Sequence, residues 1–336
     1  MTNDTEYMYA SARIRAAEGK DTASARLHRM LDCRTPEQLL RTVIECGFFR
    51  DDHPLPETLE QAWDMALTDA AALVCEVAPD PAVYDFLFYK YDCNNIKTAL
   101  KAGIIGQNYD SNFYHCGTFA PTGLTERLAA GDHTGLPTHM GEAVDEAMTA
   151  YARTGEGRQI DFIIDKACYK DMAAAAGHTG VSLFRDYVAA KADFTNVLSS
   201  VRLSSGSTAG GNPDTARAIF DMVFVPGGDL AKEQFTSQSE GCLSYMGLLE
   251  QLDGGMVKEA VRTVAEGGEV RPEKVFDEAA LSILDRERYT PFGVHVPAVF
   301  FLQREAELKN GRIIGAGLLA GLTGQETRER VRVAYV

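Results

Sequence analysis

The stretch "KYDCNNIKTALKAG", Lys90–Gly103, decides the fold, because its apolar residues recur at helical spacing and two polar residues interrupt them. Asp92 stands three residues before Asn95 in the middle of this pattern. Residues about one or two helical turns apart share a face of a helix. That face carries both polar side chains together with the apolar residues Phe88, Ile96, Ala99 and Leu100. The stretch therefore predicts a long helix with a polar pair inside its apolar face.

The same combination, which we call an acid–asparagine pair, occurs twice more. "KADFTNVLSSVRL" (191–203) contains Asp193 and Asn196, and "REAELKNGRIIGAG" (304–317) contains Glu307 and Asn310. The copies are about one hundred residues apart, a longer period than the 20 to 50 residues typical of short stacked repeats. This spacing predicts a helical subdomain that is present three times.

A basic residue follows the acid in every copy. Lys97 and Arg312 come five residues after the acids of the first and third copies, and Arg202 comes nine residues after the acid of the second. We take these basic residues, with the three pairs, as structural or interface candidates.

The acid–asparagine pairs allow three interpretations. A carboxylate in an apolar stripe is costly unless it is paired, and an asparagine one turn away lies within reach of it. A buried polar contact that sets the register of the helix follows from the rule that buried polar groups are satisfied. A surface that grips a partner and a catalytic acid–amide site are the two alternatives.

Helical patterns dominate the whole chain and predict an all-α fold. Thr35 and Pro36 have the features of a helix start, and Gly47, Gly103 and Gly177 are each expected to end a helix. The best strand candidate is the short stretch "MVFVPGG" (222–228), which contains a proline.

Two turn-rich stretches predict the domain boundaries. They are "GQNYDSNFYHCGTFAPTG" (106–123) and "SSGSTAGGNPD" (204–214). They divide the chain into three helical subdomains with approximate bounds 1–112, 113–208 and 209–336, in agreement with the length of 336 residues.

The composition excludes several classes of partner. A net charge of −15 argues against nucleic-acid binding and against docking on anionic lipid. Seven scattered cysteines without a Cys-x-x-Cys spacing predict reduced thiols in a cytosolic chain. The N-terminus does not have the pattern of a secretory signal, and the longest apolar stretches are too short to insert in a membrane.

The sequence also lacks the common marks of an enzyme. It has no phosphate-binding loop and no nucleophile elbow, and "GAGLLAG" (315–321) resembles a dinucleotide fingerprint only loosely. His133 and His139 are not accompanied by further ligands at a metal spacing. We therefore expect no catalytic residue, no cofactor and no metal.

Four stretches, in order along nearly the whole chain, are similar to the C subunit of the V/A-type rotary ATPases, which is related to the d subunit of the vacuolar enzyme. The last of them has the most specific pattern, an acid-x-x-Asn-x-Arg core followed by Arg-Glu-Arg-Val-Arg and a terminal Tyr-Val. Gly311 stands where that family usually has an apolar residue. The four stretches are 7–20, 86–106, 191–202 and 304–336.

The resemblance implies a fold and a role that the residue patterns alone do not reach. The implied fold has three similar helical subdomains in a pseudo-threefold, funnel-like arrangement. The implied role is that of a non-catalytic socket on the cytoplasmic face of the membrane. It would join the central-stalk shaft subunits (D/F type) to the rotor ring of proteolipid subunits during ion transport. The alternatives are a generic α-helical scaffold of another assembly and an unrecognised helical-bundle enzyme.

Overall fold

The structure, a computed structural model, describes residues 4–18, 22–50, 54–107, 109–205, 212–267, 271–287 and 290–332. The expected all-α fold is confirmed, since helices make up most of the described chain. The helices are α1 (Met8–Glu18), α2 (Ala23–Leu31), α3 (Pro36–Glu45), α4 (Leu59–Val77), α5 (Asp85–Ile105), α6 (Leu124–Ala129), α7 (Thr138–Thr154), α8 (Arg158–His178), α9 (Ser182–Ser204), α10 (Pro213–Val223), α11 (Tyr245–Gln251), α12 (Gly255–Glu266), α13 (Pro272–Ser282), α14 (His295–Leu319) and α15 (Gly324–Arg330).

Short elements connect these helices. The 3₁₀ helices are Asp4–Tyr7, Pro81–Tyr84, Asp110–Asn112, Lys232–Phe235 and Ile283–Glu287. Two short antiparallel strands, β1 (Thr236–Ser237) and β2 (Gly241–Cys242), form a small sheet. The best strand candidate, "MVFVPGG", does not form a strand: α10 continues through Val223, and the Val225 backbone then pairs with a side chain on α9.

The chain divides into two compact units. One unit combines the two ends of the chain, Met1–Tyr84 and Leu284–Val336, and the other is the central segment Asp85–Ile283. The three similar subdomains predicted from the sequence remain a prediction, because two compact units do not show whether parts of the chain resemble one another. Most of the predicted linker (204–214) lies outside the described residues.

In the first unit, α14 is the central helix. It packs against α1, α2, α3, α4 and α15, so both ends of the chain contribute to one core. Gly311 permits one of these contacts, because a Cβ atom there would lie 2.5 Å from the Trp63 ring on α4. The large Trp63 side chain therefore occupies the space that a side chain at position 311 would need.

In the second unit, α8 packs against α5, α7 and α9. Phe86 on α5 and Phe184 on α9 are in aromatic contact, with their ring centroids 4.8 Å apart. The helix α9 packs in turn against α10 and α13. The first two acid–asparagine pairs lie on α5 and α9, and the third lies on α14 of the other unit.

The predicted helix start at Thr35 is confirmed, since its hydroxyl accepts a hydrogen bond from the Gln38 amide. Gly47 follows that helix with a positive φ, as expected of a stop. The helix ends expected at Gly103 and Gly177 lie close to the observed ends of α5 at Ile105 and of α8 at His178. The positive φ angles occur instead at Gly106 and Gly180.

No helix in the described parts of the chain is both long enough and apolar enough to cross a membrane.

Candidate functional site: the acid–asparagine pairs and the loops they dock

The asparagine of the first pair holds the backbone of a loop. The Asn95 amide donates to the Tyr114 carbonyl at 2.8 Å, and its oxygen accepts from the Tyr114 amide at 2.8 Å. Both side chains of the pair are completely buried on α5. Because a side-chain amide has one donor face and one acceptor face, it satisfies both polar groups of one residue. Asn95 thus fixes a chain segment that begins 19 residues later.

The acid of the first pair holds the same loop a few residues further on. The Asp92 carboxylate accepts from the Thr118 amide at 3.0 Å and from the Thr118 hydroxyl at 2.6 Å. Gly117 comes so close that a Cβ atom there would lie 2.0 Å from the Asp92 Oδ1 atom. Burial raises the pKa of Asp92 to about 7, although the hydrogen bonds from Thr118 oppose the shift.

The second pair repeats this arrangement on α9. The Asn196 amide exchanges two hydrogen bonds with the Val225 backbone, each 2.9 Å long. The Asp193 carboxylate accepts from the Asp229 and Leu230 amides at 3.1 and 3.2 Å. Burial raises the pKa of Asp193 to about 6, against the effect of these hydrogen bonds.

The two docked loops match residue by residue. In "YHCGT" (114–118) and in "VPGGD" (225–229), the first residue pairs with the asparagine and the fifth donates its amide to the acid. The fourth residue of each is a glycine, and Gly228 lies as close to its acid as Gly117 does, with a Cβ atom that would be 2.0 Å from Asp193 Oδ1. We call 113–118 the first docked loop and 224–230 the second docked loop.

Within the described part of the chain, the third pair shows the asparagine half of the arrangement. The Asn310 amide binds the Arg332 backbone through two hydrogen bonds of 2.8 and 3.2 Å. The residues that would meet the acid fall at 335 and 336, outside the described residues. Glu307 accepts two hydrogen bonds from the Arg26 guanidinium on α2, at 2.5 and 3.2 Å.

A second buried arginine completes this cluster. The Arg304 guanidinium lies 3.5 Å from Glu307 and stacks over the ring of Phe48, with 4.4 Å to the ring centroid. Burial lowers the pKa of Arg304 to about 10, and the nearby Glu307 charge limits the shift. The Glu307 carboxylate therefore makes ionic contacts with two buried arginines, Arg26 and Arg304.

The predicted basic residues do not contact the acids of their own pairs. Lys97 pairs with Asp165 on α8 at 2.5 Å, and Arg202 pairs with Glu273 on α13 at 3.0 Å at the surface. Arg312 is half-buried on α14, and within the described ranges no ion pair reaches it. Lys97 therefore links α5 to α8, and Arg202 links α9 to α13.

Further polar contacts of this kind were missed in the sequence. Ser200, one turn after Asn196, exchanges hydrogen bonds with the Leu243 backbone and donates to the Phe235 carbonyl. Asp171 on α8 accepts from the His139 and Met140 amides at the start of α7, and also contacts the His139 ring at 2.7 Å. Apart from the His139 ring, their partners are backbone groups, which leave no trace in side-chain spacing.

The described residues contain no group of three or more histidine, cysteine or acidic side chains that could hold a metal ion. A cavity of about 370 Å³ adjoins the second docked loop through Gly227 and Asp229. It lies beside α8 and α9, and Arg185 and Asp186 supply the other charged groups of its lining.

Fold and site together define an all-helical protein in which buried acid–asparagine pairs dock the loops that follow them. The chain belongs to the ATP synthase (C/AC39) subunit family, whose model matches residues 10–330. It is 24% identical to the C subunit of the A-type ATP synthase of Methanocaldococcus jannaschii, with 96% of this chain and 85% of that protein covered.

Two other relatives show how far the similarity extends. The C subunit of the A-type ATP synthase of Thermococcus kodakarensis is 22% identical, over 94% of this chain and 88% of the relative. The C subunit of the V-type sodium ATPase of Enterococcus hirae is 22% identical, over 77% of each chain. The resemblance stated from the four sequence stretches is therefore confirmed at the level of the family.

Proposed function

We propose that the chain is the central-rotor linker of a V/A-type ATPase or ATP synthase, which couples the central shaft to the membrane rotor ring during ion transport. The observation that carries this proposal is the match of the family model over residues 10–330. Relatives named as C subunits of A-type and V-type enzymes, each aligned over most of this chain, support it.

A torque-bearing linker needs a rigid body, and the polar contacts provide a physical basis for one. Buried carboxylates and amides bind loop backbone at two places in the central unit, and both asparagines are completely buried. Buried hydrogen bonds in a setting of low dielectric are costly to break. Each loop is therefore held to its helix and does not move independently.

We also propose that the chain itself is non-catalytic and lies at the cytoplasmic face, peripheral to the membrane through the ring. Its partners would be the shaft subunits (D/F type) and the proteolipid subunits. The division into three similar subdomains (1–112, 113–208 and 209–336) belongs to this proposal. The matching geometry at Asn95 and Asn196 supports it, since the same contact between a helix and a later loop recurs across both predicted boundaries.

Binding experiments with the purified full chain test the linker role. The tagged chain is offered the shaft subunits alone, the detergent-solubilised ring alone, and both together. A linker retains each partner and also bridges the two. Recovery of neither partner, with a folded chain, would contradict the proposal and favour a scaffold of another assembly. ATP hydrolysis by the isolated chain would contradict the non-catalytic part.

Arg312 is the interface candidate among the nine residues, because it is half-buried and no described residue pairs with it. Replacing it with alanine should weaken retention of a partner while leaving the melting temperature unchanged. Asp193→Ala is the matched comparison, since that carboxylate is buried and bonded to the second docked loop. This variant should melt earlier, and the molecules that remain folded should still bind.

A further inference from the structure

Two buried cysteines of the central unit face each other. Cys93 on α5 and Cys168 on α8 are both free thiols. The Cys93 sulfur lies 4.0 Å from the Ile164 carbonyl oxygen, and the Cys168 sulfur lies 3.6 Å from the Tyr89 carbonyl oxygen.

These contacts are reciprocal. Ile164 is one helical turn before Cys168, and Tyr89 is one turn before Cys93. A carbonyl in a helix points at the amide four residues later. Each sulfur therefore lies against the turn that carries the other cysteine.

The charged surroundings distinguish the two sulfurs. The Cys93 thiol donates to Asp165 Oδ1 at 3.2 Å, and the Lys97 ammonium binds the same oxygen at 2.5 Å. The neighbouring Cys168, burial and the charge of Asp165 raise the pKa of Cys93 above its usual value. Cys93 is therefore held as a thiol, with Asp165 as an acceptor for its proton.

We propose that Cys93 and Cys168 are a modification site, at which a peroxide oxidant closes an intramolecular disulfide between α5 and α8. The Cys168 sulfur attacks one peroxide oxygen, which breaks the O–O bond and gives a sulfenic acid and one water. The Cys93 sulfur then displaces the sulfenic hydroxyl, which takes up the Cys93 proton and leaves as a second water. The two thiols lose two electrons, and the peroxide gains both.

The bond would act on the element that holds the first docked loop. Cys93 directly follows Asp92, so a disulfide would restrain the turn of α5 that binds Thr118. Disulfides in reducing compartments are mostly redox-sensing. This disulfide depends on the packing of α5 against α8 and not on the proposed rotor role.

Mass spectrometry of the full chain tests the proposal. The native protein is treated with graded hydrogen peroxide, its remaining thiols are alkylated, and the digest is searched for a reducible peptide that joins 93 to 168. The exposed Cys75 is an internal measure of oxidant strength. We expect the linked peptide, its loss with dithiothreitol, and a melting temperature several degrees higher in the oxidised protein.

Two variants separate this bond from unspecific oxidation. Cys93→Ser should abolish both the linked peptide and the rise in melting temperature. Cys242→Ser removes another buried cysteine, on β2, and should keep both effects. The proposal is overturned if Cys93 and Cys168 remain alkylatable in the wild-type chain at peroxide concentrations that fully oxidise Cys75.

Discussion

At the scale of single residues, the carboxylates of Asp92 and Asp193 lie in an apolar core and bind backbone amides. Asp92 and Asp193 are nearly inaccessible to water, and burial raises the pKa of each. Two opposing effects meet there, because desolvation disfavours the charge and the amide donors favour it. Desolvation is the larger effect at both sites.

The raised pKa of Asp92 makes stability depend on pH. Its pKa is about 7 in the folded chain and near 3.8 in the unfolded one, so the folded state binds the proton more tightly. The contribution of Asp92 to the free energy of unfolding is therefore fully present below pH 4 and is lost as the pH rises through its folded-state pKa of about 7. Between pH 5 and 8 the loss is about 2–3 kcal/mol.

Asp92→Asn should remove this dependence, because the amide cannot ionise and still offers an oxygen to the Thr118 amide. Urea unfolding of both proteins at pH 5 and pH 8 measures the difference. An equal loss of stability in the variant and the wild-type chain would show that Asp92 does not titrate in this range.

The close approach of a glycine to each acid gives a second prediction at this scale. Gly228→Ala places a methyl group against Asp193 Oδ1 and should destabilise the fold by about 1–3 kcal/mol. Gly177→Ala is the control, because no atom lies within 4 Å of its Cβ position, and alanine favours the helix by about 0.5–1 kcal/mol. If both variants had equal stability in urea, the second docked loop would not be packed as described.

At the scale of elements, the sequence was a good guide to helices and a poor one to their contacts. The Thr35 start follows from local hydrogen bonding, and it was predicted correctly. Gly103 was not the end of α5, and the glycine that adopts the left-handed conformation after this helix is Gly106. Such a choice depends on tertiary packing.

The partners of the acid–asparagine pairs show the same limit. Apolar periodicity placed Asp92 and Asn95 on a buried face, which the structure has. Their partners are backbone groups of a distant loop, and a backbone group has no side-chain signature. Gly117 is a residue of this loop whose type reflects the contact, because only glycine fits against the Asp92 carboxylate. Arg26 could not be predicted as a partner of Glu307, since nothing in its spacing points to α14.

Each docked loop should respond only to its own asparagine. Asn196→Ala leaves the Val225 amide and carbonyl buried without partners, at a cost of about 2–3 kcal/mol. Hydrogen exchange should accelerate at 224–230 in this variant and remain slow at Tyr114. Asn95→Ala should give the converse pattern. Faster exchange in both loops for either variant would mean that the central unit loosens as a whole.

At the scale of the whole chain, residues from both ends form one unit around α14. The Arg26–Glu307 pair crosses this unit, between positions that are 281 residues apart in sequence. Removing one partner of a buried ion pair leaves an uncompensated charge, which costs about 3–5 kcal/mol. The first and last parts of the chain therefore depend on each other for stability.

Glu307→Gln should be more destabilising than Arg26→Met. The first variant removes the carboxylate that both buried guanidinium groups contact, whereas the second leaves Glu307 beside Arg304. Arg29→Met is the control, because its pair with Glu45 is exposed and should cost less than about 1 kcal/mol. Thermal unfolding ranks the three variants, and a smaller loss for Glu307→Gln than for Arg26→Met would contradict the described cluster.

The central claim is that the chain couples the shaft to the rotor ring, as proposed from its family. The most direct measurement is ATP-driven ion uptake by vesicles that contain the complex reconstituted with and without this chain. The account predicts that without the chain ATP hydrolysis continues while ion uptake is lost, and that adding the purified chain restores uptake. Full ion uptake in its absence would contradict the account.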